Sequence, residues 1–261
     1  MARRSPLPDT PVPAQFWQLP NGLTLAGDTW GERGRQPVVL LHGTGQTRHS
    51  WSRVGQRLGQ AGYYTIAYDA RGHGDSGWDP DGDYGWDALV GDLSGLMCSE
   101  RLRFPVFVGA SMGGFTGLVA VGEAGIRAAA VVLVDATPHF DMRGVREIAR
   151  FMGGNSEGFS SLREVAEAIQ RYQPHRDREP NIQGLAKNVR FGTDGRYYWH
   201  WDPAFLTAMM KNITEDQPRL VASAAALDCP SLLVQGAESE VVDSAGADAY
   251  LALAPRAEHV V

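Results

Sequence analysis

Ser111 stands in Gly109-Ala110-Ser111-Met112-Gly113, between an apolar β-branched run (Val106 to Val108) and a small-residue helical pattern. These residue types at this spacing suit a nucleophile elbow, in which a strand turns sharply into a helix and holds a serine hydroxyl clear of the backbone. Glycines two residues either side leave room for the turn. The helix that opens there points N–H groups and the positive end of its dipole at any oxyanion forming near Ser111. The chemistry such a serine could do is acyl transfer. The same five residues also suit a plain βα turn with an incidental serine, so the elements around them have to decide.

The chain has 261 residues, 43% hydrophobic and 21% charged, which suits one α/β domain carrying an insertion. Lysine and arginine number 24 against 30 aspartates and glutamates, a net charge of −6, and no basic run suggests a nucleic-acid or membrane surface. Two cysteines, Cys98 and Cys229, are too few for a disulfide framework and point to a reducing cytoplasm. The seven histidines are scattered, without His-Glu-x-x-His or paired-cysteine spacing, so neither a metal nor a cofactor is expected. Residues 1–14, rich in proline, read as a disordered leader. No apolar run approaches the roughly 20 residues that span a bilayer.

Along the chain, Gln15 to Leu19 and Leu23 to Thr29 flank Pro20-Asn21-Gly22 as a hairpin. Pro37 to Leu41 is a fully apolar strand of the kind buried in a parallel sheet, and it ends in His42-Gly43-Thr44-Gly45. A helix is predicted from about Ser50 to Ala61, with Trp51, Val54 and Leu58 on one face. The strand from Tyr63 to Tyr68 runs into Asp69-Ala70-Arg71-Gly72-His73-Gly74-Asp75-Ser76, and Trp86 to Leu96 is helical. Ala129 to Val134 is a further strand, ending at Asp135. This alternation predicts a doubly wound, mostly parallel sheet. From Ala136 to Leu227 the strand signal stops, and helix starts appear at Ser161-Leu-Arg-Glu164, Asp202-Pro203 and Thr214-Glu-Asp-Gln217. The sheet resumes at Ser231 to Gln235, a helix runs from about Ser244 to Leu253, and His259-Val260-Val261 reads as the opening of one more strand.

The three loops at carboxyl ends of neighbouring strands, His42-Gly43-Thr44, Asp69 to Ser76 and Gly109 to Gly113, together resemble those of an α/β-hydrolase, and the resemblance covers Gln15 to Val261. It implies a core of residues 15–135 and 228–261 with a helical lid over residues 136–227. It implies Ser111 as nucleophile and the backbone N–H groups of Thr44 and Met112 as oxyanion hole, with His42, His73 and Arg71 shaping the loops. For the acid it favours Glu240 in Gly236-Ala-Glu238-Ser239-Glu240, ahead of Glu238, with Asp135 at the other strand end where relatives place this group. The catalytic histidine of relatives follows the last strand, which from Glu240 falls past Val261. His259 reads as an entry residue of that strand, and His139 and His49 match no catalytic position. The expectation is therefore that the final strand, the histidine loop and the last helix lie beyond this sequence.

The function so implied is hydrolysis of a small or medium carboxylic ester by a Ser-His-acid triad, with lactonase, C–C bond hydrolase and perhydrolase sharing the machinery. Serine at position 111 disfavours dehalogenase and epoxide hydrolase chemistry, which use a carboxylate in this fold. The rival from another class is a non-catalytic homologue that holds a small molecule under the lid. The aromatic run Tyr197-Tyr198-Trp199-His200-Trp201 suits either an aromatic wall of the substrate pocket or the lid's own core.

Overall fold

The computed structural model describes residues 5–7, 10–139, 142–172, 182–239 and 241–261. The chain enters with a two-residue strand β1 (Ser5–Pro6) and the hairpin strands β2 (Gln15–Gln18) and β3 (Thr24–Trp30). Alternation follows: β4 (Pro37–Leu41), α1 (Ser52–Gln60), β5 (Tyr64–Tyr68), α2 (Trp86–Glu100), β6 (Val106–Ala110), α3 (Met112–Gly122) and β7 (Ala130–Val134). The insertion contributes α4 (Met142–Gly153), α5 (Leu162–Tyr172), α6 (Ile182–Leu185), β8 (Val189–Phe191), β9 (Tyr197–Trp199) and α7 (Pro203–Ala225). The chain returns to the sheet through β10 (Ser231–Val234), α8 (Ser244–Leu253) and β11 (Ala257–Val260).

The main sheet has eight strands in the order β11-β10-β7-β6-β4-β5-β3-β2. Only β3 runs against its neighbours, pairing antiparallel with β2 and β5; every other pair is parallel. Strands β4 and β5 are buried along their whole length, because helices cover both faces of a parallel sheet. The chain leaves β4 for β5 on one side and returns to β6 on the other, so the switch point lies at the carboxyl ends of β4 and β6. Open α/β sheets place their crevice there. Helix α3 is buried from Met112 to Val121 and packs on the sheet through glycines. A Cβ on Gly113 would overlap the Leu41 carbonyl, and one on Gly114 would press on Gly109.

Several elements differ from the sequence reading. The leader, where described, is ordered: Ser5 and Pro6 pair with Phe191 and Arg190 of β8, and the Thr10 hydroxyl donates to the Ala186 carbonyl at 3.4 Å. A proline-rich stretch has no pattern of its own to announce this, yet an edge position tolerates the missing N–H. The insertion is not purely helical, since β1, β8 and β9 form a small antiparallel sheet. The start signal at Thr214 opens no new helix, because α7 runs through it to Ala225 with Pro218 inside. The last turns of α7, with Leu220 and Ala224 fully buried, belong to the main core beside α3. The strand whose opening was expected at His259 starts two residues earlier, and β11 pairs over four residues with β10. On α1, Val54 is exposed, and the helix instead sets Gly55 and Gly59 against Trp30, where a Cβ would overlap the indole and its backbone.

Candidate active site

Ser111 sits between β6 and α3 with φ 47° and ψ −119°, a conformation non-glycine residues avoid and one that costs about 1–3 kcal/mol. The flanking glycines permit it. A Cβ on Gly109 would overlap the backbone of Gly113 and Gly114, so neither position accepts a side chain. The Phe115 N–H donates to the Ser111 carbonyl at 3.0 Å, which starts the helix directly behind the serine. Met112 is the first residue of α3, and the leading N–H groups of a helix have no partner within it. Ser111, Met112 and Thr44 line one pocket, together with Asp135 and Thr137 from the loop after β7.

That pocket measures about 950 Å³ counting its open mouth. Its walls are mainly apolar: Trp86 of α2, Phe115 and Met112 of α3, Ile148 of α4, and Phe205 and Met209 of α7. The run from Tyr197 to Trp201 does not line it. Trp199 and Trp201 stack at 4.8 Å, and Phe159 meets Trp199 edge-on at 5.0 Å, which makes these rings the insertion's own core.

Around the loop after β4, three buried histidines hold backbone groups with both ring nitrogens. The Ala70 N–H donates to His42 Nε2 at 2.9 Å, which leaves the proton on Nδ1 to donate to the Gly43 carbonyl at 2.9 Å. The Gly45 N–H donates to His73 Nε2 at 3.2 Å, and His73 Nδ1–H donates to the Arg71 carbonyl at 3.1 Å. The Gly74 N–H donates to His200 Nδ1 at 2.9 Å, and His200 Nε2–H donates to the Gly45 carbonyl at 3.1 Å. Burial disfavours the charged ring in each case. It lowers His42, takes His73 down to about 3 with help from neighbouring His42, and holds His200 well below its ordinary value. His42 and His73 are thus neutral loop-shaping groups, as the resemblance implied. His200 carried no sequence signal, because its partners lie more than a hundred residues away.

Two arginines complete this wall. Arg71 grips Asp92 through Nε at 2.6 Å and Nη2 at 2.7 Å, and Nη1 donates to the Asp83 carbonyl at 2.8 Å. Arg48, fully buried, pairs with Asp69, with Asp75 at 2.9 Å and with Asp28 at 3.1 Å. It also donates to the Pro11 carbonyl at 3.0 Å, and Arg190 of β8 reaches Asp75 at 2.8 Å. The network joins leader, insertion and core. Tyr84 adds a link, donating to Asp202 at 2.5 Å, while the Asp202 N–H donates to the Gly72 carbonyl at 2.8 Å.

Opposite, Asp135 follows β7 with φ 51°, and its Oδ1 accepts from the Gly236 N–H at 3.1 Å. Glu238 is exposed on the loop after β10, and Glu240 lies outside the described residues. Ser239 Oγ accepts from the N–H groups of Val241 and Val242 at 3.2 and 2.9 Å, tightening the turn that leads to Val241 in the pocket wall. No described histidine lines the pocket. His259 lies within β11 and meets the Gln235 side chain at 2.9 Å, His139 is exposed, and burial lowers His49 to about 4. His175 lies outside the described residues.

Among the described residues no group of three or more His, Cys, Asp or Glu side chains is placed to hold a metal ion, and no helix is long and apolar enough to cross a membrane. A sequence profile described as the Alpha/beta hydrolase family matches residues 38–261. Esterase Rv0045c of Mycobacterium tuberculosis is 30% identical over 220 residues, covering 82% of this chain and 70% of its own. Esterase YbfF of Escherichia coli is 28% identical over 234 residues, with 88% and 85% covered. Among solved structures, E-2-(acetamidomethylene)succinate hydrolase superposes with a TM-score of 0.82 at 22% identity, covering 95% of this chain and 89% of that one. At that identity the likeness speaks for the fold alone.

Proposed function

Because the chain belongs to the alpha/beta hydrolase family, we propose that it cleaves small or medium carboxylic esters by acyl transfer through Ser111. The observation that carries this reading is Ser111 itself, held at positive φ on the floor of an apolar pocket beside Met112 and Thr44. In the first step the Ser111 hydroxyl loses its proton to an imidazole as Oγ attacks the ester carbonyl carbon. The tetrahedral oxyanion accepts hydrogen bonds from the N–H groups of Met112 and Thr44, each donor worth about 3 kcal/mol. The imidazole then protonates the departing alkoxide, leaving an acyl-enzyme that water hydrolyses by the same steps in reverse. His42, His73 and His200 bind backbone with both nitrogens, so in this proposal the imidazole is none of these three.

Glu240 orients the imidazole in this proposal. Asp135 is the second candidate acid, supported by its place in the pocket wall and its positive φ. Residues 136–227 act as the lid, supported by Ile148, Phe205 and Met209 lining the same pocket as the serine. The apolar walls favour a short acyl chain over a peptide or polymer. Two free cysteines, Cys98 exposed and Cys229 buried, support a reducing, cytoplasmic setting. The test is hydrolysis of p-nitrophenyl esters from acetate to palmitate. Turnover that peaks at short to medium chains and disappears in Ser111→Ala is the expected result. Turnover that persists in Ser111→Ala would remove the proposed nucleophile.

A further inference from the structure

The loop carrying Thr44 is fixed one peptide at a time. The Gly43 carbonyl accepts from the Gln46 N–H at 3.0 Å and from His42 Nδ1–H at 2.9 Å, which sets the peptide plane containing the Thr44 N–H. The next peptide is set by the Gly45 N–H donating to His73 Nε2, and the one after by the Gly45 carbonyl accepting from His200 Nε2–H. The first two holds come from core loops. The third comes from the insertion, across 155 positions of sequence.

Gly45 is one of the places where the insertion meets the core. It has φ 70°, a conformation that favours glycine, and a Cβ there would lie 3.4 Å from Met152 Sδ and 3.5 Å from a Trp201 ring carbon. Both neighbours belong to the insertion. His200 is itself held at both ends: its N–H donates to the Asn188 carbonyl at 3.2 Å, and two residues on, the Asp202 N–H donates to the Gly72 carbonyl at 2.8 Å. With a ring 1% exposed and no free nitrogen, it can move only if the insertion moves with it.

We infer that His200 is a positioning residue through which the insertion sets the oxyanion loop and aligns the Thr44 N–H. This rests on the reading of Thr44 as an oxyanion donor. Its signature is a loss in kcat with KM kept, because the Thr44 N–H stabilises the transition state and not the bound ester.

The test separates the two ends of the ring. His200→Gln keeps a donor near the Nε2 position, toward the Gly45 carbonyl. His200→Asn keeps an acceptor near the Nδ1 position, toward the Gly74 N–H. Expected for His200→Asn and His200→Ala is a fall in kcat of about tenfold to a hundredfold with KM within about twofold, whereas His200→Gln stays near the parent. Amide exchange, read on the folded proteins without substrate, should quicken at Thr44, Gly45 and Gln46 in His200→Asn and not in His200→Gln. If His200→Ala fails to fold, the Gln and Asn pair still decides. Equal kcat in Gln and Asn variants, or a rise in KM alone, would overturn the inference. Ser111→Ala is measured alongside: if it is inactive while all His200 variants match the parent, this inference falls and the nucleophile stands. Activity in Ser111→Ala would instead remove the reading beneath it.

Discussion

On the β4 and β5 side of Ser111, three neutral imidazoles hold six backbone groups of the loops at 42–46 and 69–76, and two buried arginines bind the carboxylates around them. On the β7 and β10 side the described holds come from short polar side chains and amides: Asp135 accepts the Gly236 N–H, the Ser239 hydroxyl caps one turn, Thr137 donates to the His139 carbonyl and Gln235 to the Val242 carbonyl. The difference matches what the proposed acyl transfer would ask of each side. Stabilising an oxyanion requires backbone dipoles that are oriented before the reaction and do not relax during it. Moving a proton requires a side chain that can change partners. One wall of the pocket is accordingly held by buried imidazoles and ion pairs, the other by amide and hydroxyl contacts within two loops.

Substitutions on the two sides should separate activity from stability. The largest effect is expected from Ser111→Ala, with kcat falling on the order of 10⁴-fold or more. On the β7 and β10 side, Glu240→Gln should lower kcat about a thousandfold and Asp135→Asn less than about tenfold, both without a shift in melting temperature. The reverse order would move the acid to the loop after β7. The β4 and β5 side should answer in stability instead. Arg48→Met strands Asp69 and weakens the hold on Asp28 and Asp75, at a cost of about 3–5 kcal/mol in urea unfolding. Arg35→Met, which breaks the exposed pair with Glu32, should cost under about 1 kcal/mol. Equal costs would show that the buried network adds no more than a surface pair. Gly113→Ala, forced against the Leu41 carbonyl, should lose about 1–3 kcal/mol.

The pH dependence follows from the same wall. His42, His73 and His200 are held below the ordinary histidine value, His73 at about 3. Between about 6.5 and those values the unfolded chain binds protons that the folded chain refuses, so stability is full above pH 6.5 and falls as the pH drops. Each histidine contributes a slope of up to about 1.4 kcal/mol per pH unit in that window. Urea midpoints at pH 7.5, 6 and 5 read this directly, and His73→Gln should remove one histidine's share. A stability that does not change from pH 7.5 to 5 would mean that the folded chain takes up these protons as readily as the unfolded chain.

What could be read from the sequence was local. His42-Gly43-Thr44, Asp69 to Ser76 and Gly109 to Gly113 announce themselves because a sharp turn needs glycine within two residues of its pivot. The Ser161 box is equally local: the Glu164 N–H donates to Ser161 Oγ at 3.2 Å, although the Glu164 carboxylate reaches back to the Ser160 N–H. What escaped was long-range. Ser5 and Pro6 join a sheet with residues 190 and 191, and Arg190 pairs with Asp75, by contacts that leave no period in the sequence. The aromatic run was legible as a cluster but not as a location, since rings packed in the insertion's core and rings lining a pocket read alike. His200 was hidden within it. Thr214 to Gln217 gave a true local start signal, with Pro218 behind it, that the packing of Leu220 and Ala224 on the core overrode.

Everything proposed for this pocket depends on Ser111, held at positive φ, acting as its nucleophile. The most direct measurement is reaction of the purified chain with a fluorophosphonate, read by intact mass and by peptide mapping. The account predicts one adduct, on the peptide containing Ser111, absent from Ser111→Ala and slowed by a short-chain ester as competitor. A folded chain that takes up no reagent, or an adduct that survives in Ser111→Ala, would contradict it.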